Sequence, residues 1–154
     1  MLKPNSHSLH RRASQVLLIL LAALCGLVIA TNAYGEPAQS VDANQKIVAS
    51  YTAIWHEPDA ARRRSMLTAV WSDTAEHQTA QSHSVGREAF DAEIAAFQAS
   101  FPGATVETHD LKRTGLHLVF NFTLRSVSGD AIIAGVDYMR LDDSGKIAAV
   151  VGFF

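Results

Sequence analysis

The chain has 154 residues, 48% of them hydrophobic and 18% charged, with one Cys and a formal net charge of −2. That length predicts one domain, and the low charged fraction excludes a solvated disordered chain. A single Cys excludes a disulfide framework or a thiolate zinc site, and the acidic balance argues against a nucleic-acid partner.

Residues 1–35 read as a separate object. Met1–Gln15 carries Lys3, Arg11 and Arg12 and no acid, Val16–Ala30 is almost unbroken apolar sequence, and Ala30, Ala33 and Gly35 supply small residues. This succession predicts a secretory signal peptide, cleaved after Ala30, Ala33 or Gly35. The apolar run falls short of the ~20 residues of a bilayer-spanning helix; an uncleaved anchor is the alternative. Cys25 lies inside the run, behind Leu24, where lipidation would want a small residue. The remainder, 36–154, has no Cys and ten basic against fifteen acidic residues, a net charge of −5. A periplasmic or secreted domain is expected, touching membrane only through the signal segment.

Within 41–56, Ile47, Val48, Tyr51, Ile54 and Trp55 recur at helical spacing. Pro58 ends that helix, and Asp59 is a suitable N-cap for the next, about 60–70. There Met66, Leu67 and Val70 should face inward and Arg62, Arg63 and Arg64 outward. Residues 71–85 are polar without a clear period; a short strand near 75–80 and a loop are expected. A third helix, about 87–100, carries the stripe Phe90, Ile94, Phe97 and Phe101, and Pro102-Gly103 stops it.

Everything after is strand-like. Residues 104–111 alternate weakly. In 116–127, Leu116, Leu118, Phe120, Phe122 and Leu124 share one face and His117, Val119, Asn121, Thr123 and Arg125 the other, a near-strict period of two. Ser128-Gly129-Asp130 and Asp142–Gly145 read as turns around a strand at 131–141, and 146–153 is the last strand. Helices followed by antiparallel strands make an α+β layout. A curved sheet with three helices on one face leaves a conical cavity lined by apolar side chains, the usual construction of a small-molecule pocket.

This order of elements resembles the nuclear transport factor 2-like superfamily, with its cystatin-like fold, and specifically its SnoaL-like branch. The resemblance rests on YTAIWHEPDAARRRSML (51–67) with Trp71, VGREAFDAEIAAFQASFPG (85–103), VFNFTL (119–124), GVDYMRL (135–141) and GKIAAVVGFF (145–154), spanning nearly all of 36–154. It implies the fold and a pocket. It implies no single activity, because the superfamily hosts isomerases, polyketide cyclases, dehydratases and noncatalytic binding domains. His77-Gln78-Thr79-Ala80 stands where many relatives carry Tyr-x-Asp-Pro, so an inherited acid is missing there.

Asp137 is the most informative residue. It lies between Val136 and Tyr138 on the strand face of Ile133, Gly135, Met139 and Leu141, where an ionised carboxyl is costly unless paired. Burial would raise its pKa, which prepares a carboxyl for acid–base work on an enolisable carbon; a structural hydrogen bond is the alternative. His77, and less so His83, lies near the expected cavity mouth as a base or hydrogen-bond partner. Tyr51, Trp55, Phe90, Phe97, Phe120 and Phe122 are the expected pocket lining. There is no H-E-x-x-H, no Gly-rich phosphate loop and no Gly-x-Ser-x-Gly elbow, so neither metal nor cofactor is expected. A small apolar molecule is the expected partner, bound by a noncatalytic domain or, alternatively, turned over by an isomerase or cyclase using Asp137. A homodimer through the outer sheet face, with Val119, Ile132, Val136 and Tyr138, is also expected.

Overall fold

In the computed structural model, residues 38–154 are described, with side chains from Ala43 onward. The expected export segment lies outside the described residues. No described helix is long and apolar enough to cross a membrane. Helix α1 (Ala38–His56) presents Val48, Tyr51 and Ile54 to the core, and α2 (Ala60–Val70) starts where Asp59 accepts a hydrogen bond from the Arg62 amide at 2.8 Å. Strand β1 (Trp71–Gln78) follows without a linker, then β2 (His83–Val85) and α3 (Gly86–Ser100). The chain then runs through β3 (Thr105–Thr114), β4 (His117–Arg125), β5 (Ala131–Leu141) and β6 (Ile147–Phe153).

The six strands are ordered β2-β1-β6-β5-β4-β3. All neighbours are antiparallel except β1 and β6, which run parallel. The whole of α3 and β3–β5 lies between those two strands in sequence, ample length for the crossover that a parallel pair requires. The polar segment 71–85 is thus more strand-rich than its sequence suggests. Its period is hidden by a register shift between Trp71 and Glu76, yet Trp71, Ala75 and His77 all point inward and are buried.

The alternation of β4 holds: Leu118, Phe120 and Leu124 are buried and His117 and Val119 exposed. The core packs Leu118 and Phe120 against Ile54, Leu67, Trp71, Phe90, Ile94, Met139, Ile147 and Val150. Trp71 and Phe90 stack with centroids 4.2 Å apart. Asp142 fixes the last turn by accepting hydrogen bonds from the amides of Ser144 (2.9 Å) and Lys146 (3.0 Å).

One expectation on α2 fails. Arg63 is buried, with its Nε 2.5 Å from Asp91 Oδ1 on α3. Its Nη1 donates to the Glu57 carbonyl (3.1 Å) and to Gln98 Oε1 (3.2 Å). The Gln98 amide in turn donates to the carbonyls of Trp55 and Glu57 at 2.9 and 3.0 Å. Position 63 shares the inward stripe of Leu67 and Val70, one turn ahead of Leu67. Arg62 and Arg64 do face solvent.

Candidate functional site

A cavity of about 650 Å³ opens between α1, α3 and the sheet. Its lining is of two kinds. Phe97, Phe101, Val106, Phe122, Leu124 and Ile133 give an apolar wall, while Tyr51, His77, Asp137, Thr79 and Ser82 bring polar atoms to the other part. The volume lies within the ~300–1,000 Å³ typical of small-molecule sites. No Lys or Arg is among the lining residues.

Asp137 reaches the cavity from β5, paired across the sheet with Phe120 on one side and Gly152 on the other. A Cβ at Gly152 would lie 3.1 Å from Asp137 Oδ1 and 3.3 Å from Phe154 Cε1. Glycine there leaves room for both the carboxyl and the Phe154 ring. Asp137 is 7% exposed. Burial pushes its carboxyl up to about 6, against the opposing pull of the His77 charge and the Tyr51 hydroxyl. The Tyr51 hydroxyl is raised well above its ordinary value by burial and then by the Asp137 charge. It therefore stays protonated and serves Asp137 as a donor.

His77 lies on β1, within the stretch expected to be a strand, and is buried. Its ring meets Trp55 with centroids 5.5 Å apart and Phe90 at 4.9 Å. Its Nδ1 is 2.9 Å from Glu93 Oε1. Glu93 also accepts from Ser82 Oγ at 2.6 Å and from Ser84 Oγ. Desolvation pushes the Glu93 carboxyl up, but the hydrogen bond and charge of His77 and the two serine hydroxyls outweigh it and bring the group down to about 2.

Thr79, where the resemblance leads one to look for an acid, closes the β1–β2 turn. Its Oγ1 accepts from the amides of Gln81 (3.1 Å) and Ser82 (3.0 Å). A hydroxyl making this turn replaces the turn-forming part of an aspartate but supplies no ionisable group.

Of the residues picked from sequence, Asp137, His77, Tyr51, Trp55, Phe97 and Phe122 converge on the cavity. Phe90 and Phe120 do not line it. Both are essentially fully buried in the core, Phe90 between Trp71 and Trp55 and Phe120 behind Tyr51. Both face inward as expected, but the rings of Tyr51, Trp55 and Trp71 enclose Phe90 and the Tyr51 ring covers Phe120. His83 is exposed, its Nε2 3.2 Å from Glu76 Oε2. Among the described residues no group of three or more His, Cys, Asp or Glu is arranged to hold a metal ion. Glu93 is the residue the sequence reading missed. Its signal was present: position 93 falls within the stripe of Phe90, Ile94 and Phe97, where a charge must find a partner.

No family model and no curated protein sequence matches the chain. Solved structures do. A SnoaL-like family protein from Agrobacterium tumefaciens, to which isomerase activity is ascribed, is 28% identical with a TM-score of 0.70, over 73% of this chain and 97% of that one. A protein from Methylobium petroleophilum with a cystatin-like fold and unknown function superposes with a TM-score of 0.60 at 16% identity, over 73% and 75% of the two chains. A protein from Sinorhizobium meliloti described as a polyketide cyclase matches at 14% identity and a TM-score of 0.57, over 70% and 94%. The last two are similar in fold alone.

Proposed function

Because the chain is a structural homologue of the nuclear transport factor 2-like superfamily, and of its SnoaL-like members in particular, we propose that its cavity binds a small, neutral, largely apolar molecule bearing a ketone. On that molecule it performs acid–base chemistry of the isomerase or cyclase type. The observation that carries this reading is the convergence of Asp137, Tyr51 and His77 at one part of a largely apolar cavity. A carboxyl brought to about 6 is poised between its two protonation states near neutral pH. Such a group exchanges a proton with carbon or an enol oxygen more readily than an ordinary carboxylate. Asp137 would remove the proton next to the carbonyl, with Tyr51 or His77 donating to the developing enolate oxygen. With no Lys or Arg in the lining and the carboxyls of Asp137 and Glu93 among it, a neutral ligand is favoured over an anionic one.

The test is proton–deuterium exchange into β-tetralone, an apolar enolisable ketone, in D2O. Exchange above the buffer rate, lost in Asp137→Asn, supports the chemistry. Binding of β-tetralone without enhanced exchange would leave a noncatalytic binding domain, the reading that Thr79 in place of an acid favours.

Two further parts of the proposal concern the chain as a whole. The domain is exported, the mature protein beginning between residues 31 and 36. Intact mass after expression in an exporting host checks this, and a chain retaining Met1 in the membrane pellet would mean an anchor. The domain pairs as a homodimer through the outer sheet face, where Val119 and Val136 are exposed on adjacent strands. Tyr138 contributes there with its hydroxyl 2.7 Å from His117 Nδ1. Ile132, expected on that face, borders the cavity as well. A monomer mass by light scattering at micromolar concentration would remove the dimer.

A further inference from the structure

Glu93 uses both carboxylate oxygens on protein donors. Oε1 meets His77 Nδ1 and Ser82 Oγ, and Oε2 meets Ser84 Oγ. It therefore has little capacity left for a ligand. His77, by contrast, uses one ring nitrogen. Its Nε2 has no partner among the described residues, and its ring lines the cavity. Trp55 and Phe90 hold the ring plane from two sides.

We propose that Glu93 is a positioning residue: anchored by Ser82 and Ser84, it holds the proton of His77 on Nδ1 and so turns an unprotonated Nε2, or its N–H after a second protonation, toward the bound molecule. The physical basis is that the hydrogen bond made by one imidazole nitrogen sets the state of the other. An anionic acceptor fixed at Nδ1 selects the tautomer with the proton there. The other titratable groups facing the ring are Asp137 from β5 and Tyr51 from α1. The proposal rests on the reading that this cavity moves protons, and it assigns how one of its groups is kept ready.

The test uses the full chain labelled with nitrogen-15 in its histidines. The expected wild-type signal at pH 7–8 is a His77 ring protonated on Nδ1, with a downfield, slowly exchanging Nδ1 proton. Glu93→Leu should cut the Nδ1-protonated population of the neutral ring to about half or less. Ser82→Ala with Ser84→Ala should lower it partly, and serves in place of Glu93→Leu if that variant does not fold. Glu76→Gln, beside the exposed His83, should leave the His77 signal unchanged. An unchanged His77 tautomer in both the Glu93 and the serine variants overturns the proposal. The tautomer measurement needs no substrate. If β-tetralone exchange is absent while the tautomer shifts, the acid–base reading falls and the positioning role stands.

Discussion

Helix α3 carries two charged clusters that are alike in their pairing and differ in kind. At Asp91 and Gln98, the Arg63 guanidinium is enclosed by a carboxylate, an amide and the Glu57 carbonyl, and none of these groups borders the cavity. At Glu93, the chain of partners ends on His77, beside Asp137 and Tyr51, facing about 650 Å³ of open space. Burial and pairing are common to both clusters. What separates them is leftover hydrogen-bonding capacity aimed at a cavity. The first cluster latches the α1–α2 junction to α3; the second is where a ligand would meet the protein.

The strongest test of this division is Asp91→Ala. It leaves Arg63 buried without its counter-ion, which costs about 3–5 kcal/mol. Phe90→Ala should cost a similar ~3–5 kcal/mol, because a ring buried between two tryptophans leaves a hole. Both are read as a lower urea midpoint with an unchanged slope. A loss under about 1 kcal/mol for Asp91→Ala would mean that Arg63 escapes to water and that the latch is no more structural than a surface pair.

Asp137→Asn should move stability the other way. The folded carboxyl titrates at about 6 against an ordinary 3.8, so the folded state holds its proton after the unfolded chain has lost it. The stability this group contributes is full below the unfolded value and is lost as pH rises through about 6. The burial of the charged form then weighs against folding by about 3 kcal/mol at pH 7 and above. Asparagine keeps the shape without the charge. The variant should melt higher than wild type at pH 7–8, by up to ~3 kcal/mol, and the gap should close toward pH 4. A variant that melts lower at pH 7 would place Asp137 with Arg63, as a structural charge.

The sequence carried the fold because the fold rests on patterns that a single residue type reveals. The four alternating apolar positions of β4, the Pro58-Asp59 break and the stop at Pro102-Gly103 each act locally. The site was half legible. An acid between apolar neighbours marked Asp137, and that argument needs no partner to be known. Glu93 and Arg63 were not found because their meaning lies in partners on other elements, 16 positions away at His77 and 28 at Asp91. Each nevertheless sat in an apolar helical stripe, where the same argument that found Asp137 applies. Phe90 and Phe120 were placed on the correct face. Facing inward does not distinguish a wall of the cavity from the core behind it, since that depends on how far the helices cover the sheet.

Phe122 sharpens this last difference. Its ring borders the cavity and meets Phe154 edge-on with centroids 5.7 Å apart. Truncation enlarges an existing space instead of opening a new void, so Phe122→Ala should cost roughly 1–2 kcal/mol, below a packed phenylalanine. It should also shift the preference among apolar ketones toward larger ones, read as relative affinity by fluorescence competition. A loss as large as that of Phe90→Ala, with unchanged preference, would put Phe122 in the core.

The smallest effect is expected from Arg64, and its smallness matters to the comparison. Arg64 is adjacent to Arg63 and reaches the same carboxylate, with Nη1 3.6 Å from Asp91 Oδ2. Its side chain is 60% exposed. Water already solvates that guanidinium, and holding a long flexible side chain in one place offsets the modest attraction. Arg64→Ala should therefore change stability by no more than about 0.5 kcal/mol, with the remaining dependence weakening as salt is added. Combined with Asp91→Ala, it should add nothing beyond the single change, since Arg64 loses its partner in either case. A cost near that of Asp91→Ala would show that Asp91 answers to the summed charge around it and not to the enclosed geometry of Arg63. The latch would then be a surface network, and the contrast with the cavity cluster would rest on the His77 side alone.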